Sequence, residues 1–216
     1  MRDRRSLGIA SILVALGPIA FIAIFGSWAS AGLSQTDSAD PTIAIPFLRA
    51  HPAMVVPPTL DSIVMHVSAI VLAIGLHRVL SSRAHLLASI GAACGVMWGV
   101  LDISQSLVLY NAVLAAPKAD AATIDIVTKG LQNAAHLGGG LWTLSIAATA
   151  AGLFGRAHRA FGVLTGAIFA LHPLIVPAIP AYFYLEFVLL PLWFAWTGIA
   201  VLRTPVARMI TSTAAA

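Results

Sequence analysis

The chain carries little charge, two lysines and one cysteine. Of its 216 residues only 9% are charged, whereas soluble domains carry about 25%. Hydrophobic residues make up 59%, more apolar surface than a water-soluble globule of this size can bury. The lone Cys94 excludes an intramolecular disulfide. These scarcities exclude an ordinary soluble domain and a disulfide-stapled secreted scaffold.

The positive charge is also thinly spread. The net charge of +4 comes mainly from arginines in short segments between apolar runs, without a basic patch. A nucleic-acid-binding domain concentrates such residues on one face or along one helix. The sequence therefore predicts no nucleic-acid partner, and its composition points to a lipid bilayer instead.

Long apolar runs are what the sequence has in abundance. About 20 consecutive apolar residues suffice for a helix to cross a bilayer. Six runs meet or approach this length, so we expect an all-α, polytopic membrane helical bundle of six transmembrane helices. The chain forms one domain over residues 1–216, with an outer segment at 34–58 that lies on the membrane or folds back over the bundle. The predicted spans are 7–33, 59–80, 86–115, 121–154, 160–176 and 181–202.

Arginine placement predicts the orientation, because Lys and Arg concentrate in cytoplasmic loops. With both termini cytoplasmic, nine arginines lie inside: Arg2, Arg4, Arg5, Arg78, Arg83, Arg156, Arg159, Arg203 and Arg208. Only Arg49, Lys118 and Lys129 lie on or near the other side. The first run follows a basic start and resembles a secretion signal, but it is longer than the 7–15 apolar residues of such signals. We expect an uncleaved first span in a bacterial inner membrane.

Five ionisable residues lie in or at the edge of the predicted spans: His66, Asp102, His136, His172 and Glu186. Charge in hydrocarbon is costly, so such residues usually face protein or water and mark functional sites. At about 1.5 Å per residue, all five lie between about 18 and 27 Å from the inner ends of their spans. This shared depth predicts one outward-facing pocket.

Two spans show which faces point inward. In the third span, Gly91, Gly95 and Gly99 form two overlapping GxxxG steps, which let another helix approach closely. Asp102 projects from nearly the same face and Gln105 borders it, so both are predicted to point at a neighbouring helix.

The fourth span carries a polar stripe at intervals of three or four residues: Asp125, Lys129, Gln132, Asn133 and His136. Asp125 and Lys129 are spaced to pair at i, i+4 near the hydrated outer end. We expect Asn133 and His136 to reach into the bundle.

The predicted ligand-binding residues are His66, Asp102, Gln105, Asn133, His136, His172 and Glu186. Their chemistry leaves several functions open. They suit a small ligand, an ion or a proton-coupled carrier, because carboxylates beside histidines can exchange protons. His66, His136 and His172 are also candidate ligands for a divalent metal, and His66 with either of the others could bind haem b. A non-catalytic role, in a homo-oligomer or a membrane complex, needs only interhelical hydrogen bonds. No HExxH motif or catalytic triad is present, so the sequence assigns no catalytic residue.

Three short stretches carry a resemblance to a known family. They are His136-Leu-Gly-Gly-Gly-Leu-Trp142, Gly155-Arg-Ala-His-Arg-Ala-Phe-Gly-Val-Leu-Thr-Gly-Ala167, and Trp196-Thr-Gly198 with Leu202-Arg203. Together they resemble an uncharacterised bacterial family of multi-helix integral membrane proteins, catalogued as a domain of unknown function. The resemblance implies a helical membrane fold and no activity.

Overall fold

The computed structural model describes residues 2–38, 40–116, 119–179 and 182–204. The fold is 89% helix, and these residues contain no β-strand. A 3₁₀ turn at Pro52–Val55 precedes α4. The helices are α1 Arg2–Ser30, α2 Gln35–Ser38, α3 Pro41–Ala50, α4 Val56–Leu80, α5 His85–Leu114, α6 Ala121–Thr149, α7 Ala151–Phe154, α8 Arg156–Ile175 and α9 Phe183–Arg203.

Five of the described helices are long and apolar enough to cross a membrane, which makes the chain a multi-pass membrane protein. They cover Arg4–Ser30, Pro52–Leu80, His85–Leu114, Arg156–Ile175 and Tyr184–Arg203. The predicted fourth span corresponds to α6, which is long enough at 29 residues but is not among these five. Its polar stripe accounts for the difference, since the length alone would suffice.

Most helix ends lie within a few residues of the predicted span ends. The exception is the fourth span, predicted as one helix over 121–154. The helix instead ends at Thr149, where Ala150 leaves helical geometry, and the short α7 follows before Gly155 turns the chain at a φ of 92°. Helix α4 starts three residues early because Pro57 and Pro58 are tolerated in a first helical turn. Residue 181, where the sixth span was predicted to begin, and the loop cations Lys118 and Arg208 lie outside the described residues.

The six long helices form a closed ring. In order around it, each contacts the next: α1, α4, α5, α6, α8, α9 and then α1 again. Four large aromatic side chains fill the centre: Trp98, Trp142, Trp193 and Phe194. Leucine, isoleucine and valine side chains are exposed around the outside, as contact with a lipid bilayer requires.

Glycine allows the helices of this ring to approach closely. A Cβ at Gly140 would overlap the backbone of Ala170, so α6 and α8 touch backbone to backbone. The predicted small face of α5 is confirmed, because Gly91 and Gly95 accept side chains of α6 while Gly99 lies against Ile70 and the His66 backbone of α4.

The predicted outer segment folds back over one end of the ring, which is one of the two arrangements that the sequence left open. Helix α3 packs on α5 and α6, with Ile45 and Leu48 buried. The Arg49 guanidinium holds it there by donating to the carbonyl oxygens of Ala112, Ala116 and Ala119 at 2.9–3.2 Å. These carbonyls lie at and beyond the C-terminal end of α5, where a cation is favoured. We call the face formed by residues 41–50 the roof.

Candidate functional site

A cavity of about 810 Å³ occupies the ring beneath the roof. Every long helix and α3 contribute to its lining, and this volume lies within the usual range for small-molecule pockets. Six of the seven predicted ligand-binding residues line it: His66, Asp102, Gln105, His136, His172 and Glu186. The ring brings together side chains that are up to 120 residues apart in the sequence.

On one side of the cavity, His66 of α4 is paired with Asp102 of α5. The His66 Nε2 lies 2.9 Å from the Asp102 Oδ2, and both side chains are buried. The other ring nitrogen, Nδ1, lies 2.7 Å from the carbonyl oxygen of Ser62, one helical turn earlier. Trp98 contacts the imidazole edge-on at a centroid distance of 5.2 Å. Both ring nitrogens of His66 therefore have a polar partner.

Elsewhere in the lining, two histidines hold one carboxylate. Glu186 of α9 lies 2.7 Å from His172 Nδ1 through Oε1 and 3.4 Å from His136 Nε2 through Oε2. The two imidazoles stack with their centroids 3.9 Å apart. The His136 Nδ1 lies 2.8 Å from the Gln132 carbonyl oxygen. All three side chains are buried, so α6, α8 and α9 meet through a polar contact in an apolar interior.

These distances fix where protons lie. A carbonyl oxygen only accepts, so the Nδ1 of His66 and of His136 must carry a hydrogen. Each Nε2 then faces a carboxylate oxygen. Two lone pairs would repel there, so either the imidazole is charged or the carboxyl group is protonated. The His66–Asp102 pair therefore holds one exchangeable proton between its two side chains, and the His136–Glu186 contact requires a proton or another cation.

The cluster of His136, His172 and Glu186 also has the ligand atoms that a divalent metal requires. Ligand atoms of His136, His172 and Glu186 all lie within 4.8 Å of one another. Two ligands of a tetrahedral zinc ion lie about 3.3 Å apart, close to the His136–Glu186 spacing. His66, a third predicted metal candidate, is not part of this group because Asp102 and Ser62 occupy its nitrogens.

The geometry does not favour haem b. Two axial ligands lie on opposite faces of a porphyrin, whereas the His136 and His172 rings stack on each other. His66 would have to release Asp102 before its Nε2 could bind iron.

The prediction that Asn133 reaches into the bundle is wrong. Asn133 is exposed and does not line the cavity. It shares an i, i+4 row with Leu137 and Leu141, which are also exposed, while His136 projects from the neighbouring face. A stripe spaced by three or four residues covers two adjacent helix rows, and only one of them points inward.

Asp61 is a cavity residue that was not predicted from the sequence. This half-buried carboxylate lines the cavity one turn before Met65 and His66. It lies near the predicted start of the second span, where an acidic residue is typical of a hydrated helix end. The signal that could have identified it is an acidic side chain beside Ser62, which contacts His66. Asp125 and Lys129 also line the cavity and form the predicted ion pair at 2.8 Å.

His158, which the sequence placed in an inner turn, is fully buried away from the cavity. Its Nε2 lies 2.8 Å from Thr197 Oγ1, and that hydroxyl donates to the Trp193 carbonyl oxygen. The imidazole must therefore donate from Nε2, which leaves Nδ1 without a partner among the described residues. This histidine joins α8 to α9.

Two aspartates outside the membrane-spanning segments cap the helices that position the site. Hydrogen bonds from Thr42 hold the pKa of Asp40 below its usual value, and the Thr123 backbone N–H does the same for Asp120. They cap α3 and α6, respectively. A lowered carboxyl pKa stabilises the fold at neutral pH, and this contribution is lost as the pH falls through the folded-state pKa.

No protein family matches this chain, and the searches of curated proteins and of solved structures returned no match. The resemblance to an uncharacterised membrane family stays a prediction.

Proposed function

We propose that this protein binds a small ligand in the cavity and couples binding to proton exchange at the two histidine–carboxylate clusters. The observation that supports this proposal is that His66–Asp102 and His136–Glu186–His172 face one cavity, and in each an imidazole nitrogen lies against a carboxylate oxygen. A ligand that changes the electrostatic potential in the cavity will change the occupancy of those protons. Coupled binding of this kind is the elementary step of a proton-coupled carrier.

The orientation completes the proposal. Six spans with both termini cytoplasmic place the roof on the outer side of a bacterial inner membrane. Two features support α6 as a further spanning helix, which brings the number of spans to six: it lies between α5 and α8 in the ring, and it is long enough to cross. In this orientation Arg49 and Lys129 are external and the cavity faces outward, toward its ligand.

The test is calorimetry on purified protein in lipid nanodiscs, with three probes that share one apolar body. They are 4-phenylbutylammonium, 4-phenylbutanol and 4-phenylbutyrate, each titrated in two buffers of different ionisation enthalpy. We expect saturable binding of at least one probe, with proton uptake or release that disappears in Asp102→Asn and Glu186→Gln together. Binding without any proton exchange would overturn the coupling and favour a non-catalytic role.

A matched pair of variants shows whether the cavity is where the probes bind. Ser106 lines the cavity, whereas the adjacent Leu107 is exposed on the outside of the bundle. Ser106→Phe should weaken binding by narrowing the cavity, and Leu107→Phe should leave it unchanged. If no probe binds, or if both variants bind as the original chain does, the proposed function fails.

The three-ligand cluster supports a second candidate, divalent-metal binding. His136, His172 and Glu186 would supply the ligands and leave a fourth position open, as in catalytic zinc sites. Incubation with zinc, dialysis and elemental analysis should then give one zinc per chain, lost in Glu186→Gln and kept in Asp102→Asn. Retention of equal zinc by Glu186→Gln would contradict this assignment.

A further inference from the structure

The cavity has one carboxylate more than its own residues can pair. Among the described residues four carboxylates line it, and three have partners: Asp102 with His66, Glu186 with two histidines, and Asp125 with Lys129. Asp61 is the fourth. Among the residues that the structure describes, it has neither a hydrogen-bond nor an ion-pair partner. A carboxylate in a membrane-embedded cavity usually has a counter-charge, so this one favours a cation from outside the chain.

The positive charge in the described lining already has a partner. Lys129 is the permanently charged basic residue in the described lining, and Asp125 neutralises it. An anionic ligand would find no unpaired cation there and would meet Asp61. The charge complement of the cavity is therefore a single positive charge.

One wall of the same cavity is aromatic. Phe187 stacks on Phe21 at 5.5 Å between centroids, Phe21 contacts Phe25 at 4.5 Å, and Phe25 contacts Trp28 at 4.8 Å. All four side chains line the cavity and form a continuous ladder that begins at Phe187, next to Glu186, and ends at Trp28. The Trp28 indole N–H donates to the Met54 carbonyl oxygen. Aromatic faces attract cations and also bind apolar groups.

These features do not favour a hard divalent cation as the partner of Asp61. Such cations need about six to eight oxygen ligands, and the ladder in the same lining is apolar. An organic cation uses both features, because its charge pairs with the carboxylate while its body packs on the rings.

We propose that the ligand is a small organic monocation, an ammonium group on an apolar or aromatic body, with Asp61 binding the charge. This rests on the proposed function, since it specifies what occupies the same cavity. The aromatic ladder of Phe21, Phe25, Trp28 and Phe187 binds the body of the ligand. The two proton-bearing clusters lie on the same lining, so the positive charge of the ligand favours proton release from them.

The test uses the same three probes and subtracts their binding to empty nanodiscs. The ammonium probe should bind at least about tenfold more tightly than the alcohol, and the carboxylate should bind most weakly. Asp61→Asn should weaken ammonium binding by about tenfold while leaving alcohol binding within about twofold. The alcohol thus reports that the variant is folded, and Asp61→Glu should restore ammonium binding.

Asp37→Asn is the matched control, because it removes the same charge from α2, outside the described lining. It should leave all three affinities unchanged. Equal binding of ammonium and alcohol, or an unchanged ammonium affinity in Asp61→Asn, would overturn this inference while the proposed function stands. Failure of all three probes to bind would instead overturn the proposed function.

Discussion

At the scale of single residues, the chemistry of this protein follows from helical hydrogen bonding. His66 and His136 each place Nδ1 on the carbonyl oxygen four residues earlier, which directs Nε2 across the bundle. The helix therefore sets both the tautomer and the direction of the reactive nitrogen. A carboxylate on the neighbouring helix completes each cluster.

The His66–Asp102 pair should show strong coupling in stability. His66→Phe leaves the Asp102 carboxylate without its donor and should cost about 1 to 3 kcal/mol of unfolding free energy. Adding Asp102→Leu removes the second polar partner, so the double variant should recover much of that loss. A double-mutant cycle of unfolding free energies in nanodiscs measures the coupling. Simple addition of the two single effects would contradict the pairing.

Residue identities were only partly predictable from the sequence. His66, Asp102, His136, His172 and Glu186 could be chosen because an ionisable residue in an apolar run is conspicuous. Asn133 was misplaced because periodicity defines a stripe about two rows wide, and the inward row is set by packing. Asp61 was overlooked because hydration at a span end and exposure to a cavity look alike in one sequence.

At the scale of helices, hydrophobic run length predicted most elements, while the α6–α7 break depends on local backbone geometry.

The α6–α8 contact depends on glycine. Gly140→Ala should destabilise the protein by about 1 to 3 kcal/mol, because its Cβ would overlap the Ala170 backbone. Gly130, exposed on the same helix with open space around it, is the control, and Gly130→Ala should stabilise by up to about 1 kcal/mol. Thermal unfolding measures both, and equal effects would contradict the close packing.

The roof depends on a single arginine. Arg49→Lys keeps the charge but loses the guanidinium Nη2, the atom that donates to all three carbonyl oxygens. We expect faster amide hydrogen exchange in α3, measured by mass spectrometry, with little change in α4. Arg156→Lys, at the exposed start of α8, is the control. Unchanged exchange in α3 would show that apolar packing alone holds the roof.

At the scale of the whole molecule, the ring of six helices explains why distant polar residues meet. Each pair of neighbours buries an apolar seam, and the polar side chains collect in the cavity beneath the roof. The sequence predicted the shared depth of these residues from arginine placement and helical rise. It could not predict the order of helices around the ring, which determines that His66 pairs with Asp102 while His136 and His172 share Glu186.

The central claim is that these clusters face one cavity open to the outside. The most direct measurement is labelling of Ser106→Cys, in a Cys94→Ala background, by a membrane-impermeant cationic methanethiosulfonate reagent applied to the outside of spheroplasts. Leu107→Cys, exposed on the outside of the bundle, is the control. The account predicts rapid labelling of Ser106→Cys, slow labelling of Leu107→Cys, and protection of the former by 4-phenylbutylammonium. Equal rates at the two positions, or labelling of Ser106→Cys only from the cytoplasmic side of inverted vesicles, would contradict it.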